Sequence, residues 1–260
     1  MVQAEEFEGK VVLVTGASQG IGLEICRQFT DLGAKVIMVA RNKEKLEKAK
    51  NTIKHNSNAY TYSCDLSVNS EIEKLFGFIT EKFQGIDVLV NNLGALSEKK
   101  DWNTIDYDLW IKTFETNILS AYFCMVKAAD LMVKNETKGV IINVGSSSAL
   151  QVKKGRLNYT VSKSALHTMS RVTAMDLARH QIRVNVVSPG PTATEIVKER
   201  MKDPEQWAEE EIRLKKIPLG SYASTTDIAN AVVFLSSSKA KFITGAILPV
   251  DGGYTIGETV

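Results

Sequence analysis

Cysteine is scarce in this chain of 260 residues, and no long hydrophobic run occurs in it. The three cysteines, Cys26, Cys64 and Cys124, form no C-x-x-C pair and have no partnered histidine. This spacing argues against a disulfide framework and a zinc site, so we expect no bound metal and three buried thiols. No apolar stretch approaches the length of a membrane helix, and the acidic start MVQAEE lacks the apolar core of a secretory signal. We therefore expect a cytoplasmic protein.

A strong excess of either charge is also missing. The formal net charge is +2, with 24% charged and 44% hydrophobic residues. Proteins that bind nucleic acid or a membrane surface usually carry a marked basic excess, so we expect neither partner. A chain of this length can bury a sizeable core, and α/β sheets of this size commonly form one domain.

Short apolar segments alternate with amphipathic ones along the whole chain. Strands are predicted at 11–14, 35–40, 59–63, 86–90, 140–144, 182–187 and 246–250. Helices are predicted from about 21 to 32, from 43 to about 55, at 68–83, along Trp110, Phe114, Ile118, Tyr122 and Val126, at 159–179, within 195–216 and at 226–236. No linker or repeat interrupts this alternation. The pattern predicts a single doubly wound parallel sheet with helices on both faces, spanning residues 1–260.

A glycine-rich turn follows the first predicted strand. It reads Thr15-Gly16-Ala17-Ser18-Gln19-Gly20-Ile21-Gly22 and leads into the first helix. Missing side chains let backbone N–H groups approach a pyrophosphate, and the helix dipole favours its negative charge. Gly16, Ser18, Gln19, Gly20, Ile21 and Gly22 are therefore candidate cofactor contacts. The alternative is that the glycines only permit tight packing of helix against strand.

The end of the second predicted strand indicates which dinucleotide is preferred. In dinucleotide-binding folds an acid at this place binds the 2′-hydroxyl of NAD, whereas an arginine accommodates the 2′-phosphate of NADP. Here the strand ends in Ala40-Arg41-Asn42. We expect NADP(H) rather than NAD(H), with Arg41 and Asn42 at the phosphate. The alternative is a solvated arginine at a helix start.

Tyr159 and Lys163 lie four residues apart on a predicted helix, so their side chains share one face. A free phenol has a pKa of about 10, and lowering it to about 7 requires about 4 kcal/mol. One cation about 4 Å away supplies roughly that much at an effective dielectric constant near 20. Because a tyrosine and a lysine at this spacing also occur by chance, the pair needs support from residues elsewhere in the chain.

That support comes from a series of motifs in one order. They are the Thr15 to Gly22 turn, Asp65-Leu66, Asn91-Asn92-x-Gly94, Asn117, Ser146 thirteen residues before Tyr159, Lys163, Pro189-Gly190 and Asp251-Gly252-Gly253. Together they resemble the short-chain dehydrogenase/reductase family over essentially the whole chain. The resemblance implies a catalytic tetrad of Asn117, Ser146, Tyr159 and Lys163.

The resemblance also implies a role for each member of the tetrad. Ser146 would hold the substrate carbonyl, and Tyr159 would transfer the proton. Lys163 would lower the tyrosine pKa and bind the nicotinamide ribose, and Asn117 would hold a water. Further cofactor contacts implied in the same way are Asp65, Leu66, Asn91, Gly94, Pro189, Gly190, Thr192 and Thr194.

The sequence departs from the commonest family pattern in two places. Leu93 replaces the alanine of Asn-Asn-Ala-Gly and adds bulk near the cofactor. Gln19 occupies a position where many NADP-using members carry a basic residue, which leaves Arg41 as the main argument for NADP.

We expect an NADP(H)-dependent oxidoreductase that interconverts a carbonyl compound and an alcohol. The first alternative is a 3-oxoacyl-[acyl-carrier-protein] reductase, in which Arg171, Arg179 and Arg183 could contact an acidic carrier. The second alternative is a non-catalytic NADP(H)-binding protein. A small, partly hydrophobic substrate is expected from apolar residues along the predicted pocket wall: Leu96, Leu150, Val152, Leu157, Ile196, Val197, Met201 and Trp207.

The segment 193–217 is predicted to be a mobile lid over the nicotinamide. By resemblance we expect a homotetramer.

Overall fold

The computed structural model describes residues 6–96 and 99–257. Its centre is a parallel sheet of seven strands in the order β3-β2-β1-β4-β5-β6-β7. The strands are β1 (Val11–Thr15), β2 (Lys35–Ala40), β3 (Ala59–Ser63), β4 (Val88–Asn91), β5 (Val140–Val144), β6 (Arg183–Pro189) and β7 (Ile247–Val250). The predicted doubly wound parallel sheet is confirmed.

Helices cover both faces of this sheet. They are α1 (Gly20–Asp31), α2 (Lys43–Asn51), α3 (Asn69–Phe83), α4 (Tyr107–Phe114), α5 (Ser120–Lys134), α6 (Leu157–Leu177), α7 (Glu195–Arg200), α8 (Pro204–Lys215) and α9 (Thr225–Ser236). One core cluster joins the sheet to α1, α2 and α9, and a second joins it to α3 and α5. Strands β1, β4 and β5 are buried along their whole length because both faces are covered.

Helix α2 is shorter than the prediction of residues 43 to about 55. It ends at Asn51, where the Thr52 hydroxyl donates a hydrogen bond to the Ala49 carbonyl at 2.7 Å. The chain then turns so that Ile53, which is 3% exposed, packs into the core. Burial of that side chain ends the helix before its charged pattern does.

The long helix predicted around Asn117 is interrupted. Helix α4 is joined to α5 by a π-helical turn, Glu115–Leu119, that contains Asn117. The extra residue of a π turn rotates the faces of the two helices relative to each other. As a result, the residues that predicted one long helix do not share one buried face: Tyr122 is 43% exposed, and the face against the sheet carries smaller residues such as Ala121, Cys124 and Ala128.

The expected burial of the cysteines is confirmed, since all three are free and buried. Among the described residues, no helix has both the length and the apolar character needed to cross a membrane. Within the same residues no cluster of three or more histidine, cysteine and acidic side chains is suited to a metal ion.

Candidate active site

A cleft of about 570 Å³ opens at the carboxyl ends of the strands. It lies where the strand order reverses between β1 and β4, which is the ligand-binding position of open α/β sheets. Most of the candidate site residues line it: Gly16, Ser18, Gln19, Gly20, Ile21, Gly22, Arg41, Asn42, Leu66, Gly94, Ser146, Tyr159, Lys163, Pro189, Gly190, Thr192 and Thr194. The structure therefore gathers residues from nearly the whole length of the chain at one opening.

The glycine-rich turn is held closed by the motif that follows β4. The Thr15 hydroxyl accepts hydrogen bonds from the backbone N–H groups of Asn92 and Leu93, both at 3.0 Å. The Asn92 side chain donates to the carbonyls of Thr15 and Gly16. A Cβ atom at Gly22 would lie 2.3 Å from the Gly16 carbonyl oxygen, so only glycine allows this close turn. The asparagine motif and the glycine motif thus form one unit.

Helix α1 begins at the floor of the cleft with its backbone donors available. Its N-cap residue, Gln19, makes no side-chain capping bond, and its first turn contains no acidic residue. The first N–H groups of a helix need acceptors from outside it, and an anion satisfies them while also meeting the positive end of the dipole. The residues present at the turn therefore fit the pyrophosphate of a dinucleotide.

The far end of the cleft is cationic. Arg41 is largely exposed and lies 4.0 Å from Asp65, measured between Nη1 and Oδ2. Asn42 caps α2 through its Oδ1, which accepts from Lys45 N–H, and leaves its amide group as a donor. The Lys45 side chain, in the first turn of α2, also lines the cleft. This corner offers two cations and an amide to an anionic group.

Asp65 balances part of this positive charge. Burial acts to raise its pKa, but hydrogen bonds from Ser67 and the charges of Arg41 and Lys112 lower it overall. Asp65 does not itself line the cleft, although Cys64 and Leu66 on either side of it do.

Tyr159 and Lys163 project from the first turns of α6 toward the loop after β5. Lys163 is 3% exposed, and its Nζ donates to the Val144 carbonyl at 2.9 Å. A Cβ atom at Gly94 would lie 3.0 Å from the same Nζ, so glycine there leaves room for the lysine. Ser146 caps a short 3-10 turn, with its hydroxyl accepting from Ser148 N–H at 3.2 Å. Three candidate catalytic side chains therefore meet at one wall of the cleft.

The expected decrease in the Tyr159 pKa does not occur in this arrangement. Burial raises that pKa, while the hydrogen bond with Ser146 and the charge of Arg156 oppose the increase. The Lys163 ammonium is directed to the Val144 carbonyl, at 2.9 Å. Burial also lowers the pKa of Lys163 to about 8. His167, one turn further along α6, has a pKa lowered to about 4 by burial and by Lys163, so it is neutral.

Asn117 is fully buried and does not line the cleft. Its Oδ1 accepts from Ala95 N–H at 2.8 Å, and its Nδ2 donates to the Ala95 carbonyl and to the Ser162 hydroxyl. Ser162 lies directly before Lys163. The side chain thus joins the loop after β4 to the helix that carries Tyr159, which positions both, and the water-binding role stays a prediction.

Asn91 is also directed away from the cleft. Its Nδ2 donates to Asn143 Oδ1 at 2.9 Å and to the Ala121 carbonyl. These bonds connect β4, β5 and α5 inside the molecule. The structure therefore places the Asn91 side chain in the core network and not at a ribose.

The segment that follows β6 forms a wall of the cleft and packs against the Asp251-Gly252-Gly253 motif near the carboxyl end of the chain. A Cβ atom at Gly190 would lie 2.5 Å from the Asp251 Cβ, so the two turns touch. The Thr192 hydroxyl donates to the Gly190 carbonyl at 3.0 Å, and Thr194 lies near Gly20 at the start of α1. Pro189 to Thr194 therefore close the cleft opposite the glycine-rich turn.

Several cleft residues were missed by sequence reasoning. They are Lys45, Asn92 and the backbone around Val144 and Gly145. Lys45 could have been found, because it stands one helical turn from the strand end that carries Arg41. Leu93 packs partly against the second core cluster, so its added bulk lies both in the core and on the cleft wall.

The predicted apolar pocket wall is only partly found at the cleft. Leu96 lines the cleft and is 54% exposed, whereas Leu150, Val152 and Leu157 do not line it, although they are 43%, 83% and 43% exposed. Trp207, on α8, is 39% exposed and does not line the cleft either. The side chain of Ile196, which the sequence placed with them, lies outside the described part of the chain. The exposed Leu96 side chain suits a ligand with a hydrophobic portion.

Fold and site together define a nucleotide-binding α/β protein of the oxidoreductase type. Known proteins make this class more specific. A family model described as enoyl-(acyl carrier protein) reductase matches residues 16–255. A 3-oxoacyl-[acyl-carrier-protein] reductase from Rickettsia prowazekii is 36% identical over 249 residues, covering 95% of this chain and 98% of the relative. L-xylulose reductase of Caenorhabditis elegans is 34% identical over 251 residues, covering 96% and 97%.

Solved structures agree with these relatives. A short-chain type dehydrogenase/reductase from Mycobacterium ulcerans superposes with a TM-score of 0.91 at 25% identity, over 97% of this chain and 92% of the other. The protein ElxO with NADP bound gives a TM-score of 0.89 at 30% identity, over 95% and 98%. A 3-ketoacyl-(acyl-carrier-protein) reductase from Brucella melitensis, in complex with NADH, gives 0.87 at 28% identity, over 96% and 100%. The chain belongs to the short-chain dehydrogenase/reductase family, as its motifs predict, and is an oxidoreductase.

Proposed function

We propose that this protein is an NADP(H)-dependent reductase or dehydrogenase that interconverts a ketone or aldehyde and the corresponding alcohol. The observation that carries the proposal is that Ser146, Tyr159 and Lys163 line the same cleft as the glycine-rich turn and Arg41. Relatives named as 3-oxoacyl-[acyl-carrier-protein] reductase and L-xylulose reductase support carbonyl chemistry.

The nicotinamide cofactor, when bound, supplies or accepts the hydride. The Ser146 hydroxyl donates a hydrogen bond to the substrate oxygen and stabilises the negative charge that develops there. In reduction the Tyr159 hydroxyl gives its proton to that oxygen, and in oxidation the phenolate takes it back. Lys163 holds a positive charge beside the cleft below its pKa of about 8, and this ammonium is directed to the Val144 carbonyl.

Preference for NADP(H) follows from the cationic corner of the cleft. Arg41 presents a planar guanidinium suited to a phosphate, and Lys45 adds a second charge. The residue before Arg41 is Ala40, which has no carboxylate for a ribose hydroxyl. The structure of ElxO with NADP bound is consistent with this preference, whereas the Brucella melitensis protein was solved with NADH.

A 3-oxoacyl-[acyl-carrier-protein] reductase is the second candidate, and the names of several relatives favour it. The three arginines considered for carrier docking do not all serve it. Arg183 is held by the carbonyls of Leu235, Ile243 and Ser237 and has a structural role. Arg171 and Arg179 are exposed and remain available to a carrier.

A turnover assay tests the proposed function. The purified protein is mixed with a panel of ketones, aldehydes and 3-oxoacyl thioesters, with NADPH and with NADH, and the absorbance of the reduced cofactor is followed. Consumption of NADPH with at least one carbonyl substrate supports the proposal. NADPH binding without turnover on any member of the panel would favour the non-catalytic alternative.

The segment 193–217 is proposed to be a lid over the nicotinamide. It contains α7 and α8, and its first residues, Thr194 and Glu195, lie near Gly20 at the cofactor turn. Segments of this kind open locally at low free energy and close on substrate. We expect amide hydrogen exchange in 193–217 to be much faster than in β4 and β5, and to slow when NADP(H) and substrate are added. Exchange as slow as in the central strands before ligand is added would contradict the lid.

The protein is also proposed to act in the cytoplasm as a homo-oligomer, a tetramer by family resemblance. Apolar side chains are exposed along α4, the π turn and α5, including Tyr107 at 77%, Leu119 at 44% and Tyr122 at 43%. Exposed apolar side chains of this kind support an association surface.

A further inference from the structure

A second cavity is lined partly by the loop after β5, the same loop that carries Ser146 of the cleft. Its volume is about 500 Å³, and it shares no residue with the cleft described above. The loop after β5, the carboxyl end of α8 and the segment after β7 enclose it. Its described lining includes five basic residues, namely Lys99, Lys153, Lys154, Arg213 and Lys216, together with Tyr254. We call this set the basic pocket.

The basic pocket concentrates positive charge. Its described lining contains no carboxylate. Arg213 is paired with Glu210, at 2.7 Å between Nη1 and Oε2, and Glu210 is 2% exposed and also accepts from the Tyr222 hydroxyl. That carboxylate is bound by the arginine. The described lining of the basic pocket therefore contains five basic side chains and no acidic one.

Lys153 is held among these basic residues by an aromatic contact. Its Nζ lies 4.5 Å from the centre of the Tyr254 ring, so the side chain is held across the pocket wall. Burial, followed by the charges of Arg213, Arg156 and Lys216, lowers its pKa to about 8. An anion placed among these groups would offset a repulsion that is already present in the structure.

The location of the basic pocket indicates that the substrate, and not the cofactor, would contact it. Lys153 follows Ser146 on the same loop, and a separation of seven positions spans at most about 25 Å. The exposed Val152 lies next to Lys153 and also lines the basic pocket. Lys216 and Arg213 belong to the lid segment. A substrate with its carbonyl at Ser146 and a long remote end would reach this pocket.

We propose that the basic pocket binds a phosphate group carried by the substrate at the end remote from its carbonyl. This inference rests on the proposed carbonyl-reducing function. A cavity of about 500 Å³ with several lysines suits a phosphorylated organic group better than a single carboxylate, because phosphate carries up to two charges and several acceptor oxygens. Tyr254 and Ile212 supply an apolar wall for the carbon skeleton or base attached to it.

Two pairs of substrates test the inference and distinguish the sources of the phosphate. The first pair is acetoacetyl-coenzyme A and the N-acetylcysteamine thioester of the same acyl group, which lacks phosphate. The second pair is dihydroxyacetone phosphate and dihydroxyacetone. We expect kcat/KM to be at least about tenfold higher for the phosphorylated member of one pair. The difference in kcat/KM appears in the first pair if the phosphate belongs to a long carrier arm. It appears in the second pair if the phosphate belongs to a small phosphorylated carbonyl compound.

The double variant Lys153→Gln/Lys216→Gln should remove this advantage. We expect KM for the phosphorylated substrate to rise about tenfold or more, with kcat nearly unchanged and with the neutral substrate unaffected. Lys216→Gln alone changes an exposed side chain and should give a smaller increase in KM for the phosphorylated substrate. Lys202→Gln is the matched control, because Lys202 is an exposed lysine of the same segment that pairs with Glu199 and does not line the basic pocket.

The outcomes separate this inference from the proposed function. Reduction of neutral carbonyls with no preference for either phosphorylated partner would overturn the phosphate site and leave the function intact. Equal loss of activity on both members of a pair in the double variant would do the same. If no carbonyl is reduced, calorimetry with pyrophosphate at saturating NADPH decides the site alone: binding that the double variant loses supports it, and no binding overturns it.

Discussion

Tyr159→Phe is expected to lower kcat by about 10²- to 10⁴-fold while the affinity for NADPH stays within about twofold. General acid catalysis contributes an effect of that size, and the phenylalanine ring keeps the packing of α6 while removing the proton. The remaining Ser146 hydroxyl and Lys163 ammonium still orient the substrate but cannot deliver a proton from the same position. Steady-state rates and a cofactor-binding titration on the same preparation measure the two effects separately.

Tyr60→Phe is the matched control for the loss of a hydroxyl group. Tyr60 lies on β3, packs edge-on against Phe83 and does not line the cleft. We expect normal kcat and an unchanged melting temperature for this variant. If Tyr159→Phe retains activity within about tenfold of the wild type, Tyr159 is not the proton donor and the mechanism must be abandoned.

The surroundings of Tyr159 change how its reactivity is understood. Sequence spacing predicted a phenol whose pKa is lowered by Lys163, but in the structure burial raises the pKa. The spacing correctly predicted that both side chains share one side of α6. It could not predict the direction of the ammonium, because that depends on the Val144 carbonyl at the end of β5. Two residues that are neighbours on a helix can therefore have their strongest contacts elsewhere.

The alternation of apolar and polar segments predicted the strands well, because the apolar segments are the ones that become buried in the sheet. The strands at 35–40, 59–63 and 140–144 agree with the structure at both ends, since each is bounded by a change from apolar to polar or turn-forming residues. The region of Asn117 was harder. Periodicity of 3.6 residues assumes an uninterrupted α-helix, and the π turn at Glu115–Leu119 alters that register. A stripe read across it therefore combines two different faces.

The family resemblance predicted which residues meet at the site better than it predicted where their side chains are directed. The glycine-rich turn, Ser146, Tyr159 and Lys163 do meet at one cleft. Asn91 and Asn117, in contrast, have amides directed to backbone and side-chain partners inside the molecule. Whether an asparagine binds a ligand or fixes a loop depends on which polar atoms surround it, and these come from strands far away in the sequence.

Arg41→Ala is expected to lower kcat/KM with NADPH by about ten- to a hundredfold and to leave kcat/KM with NADH nearly unchanged. The Arg41 guanidinium is largely exposed and lies at the end of β2, where it can form paired charge-assisted hydrogen bonds to a 2′-phosphate. Each hydrogen bond to a charged group contributes about 1.5–3 kcal/mol, and 1.4 kcal/mol corresponds to a factor of ten. The NADH ribose lacks that phosphate, so the substitution removes nothing that NADH uses.

Two further variants make the result specific to position 41. Lys45→Ala should reduce NADPH use in the same direction but less, because its flexible ammonium meets the phosphate as a single point charge rather than a planar fork. Arg171→Ala removes an exposed arginine outside the cleft and should change neither cofactor. Equal use of NADPH and NADH by the wild type, or equal harm to both by Arg41→Ala, would mean that Arg41 is a surface residue. In that event the cationic corner does not select the cofactor, and the NADP assignment is wrong.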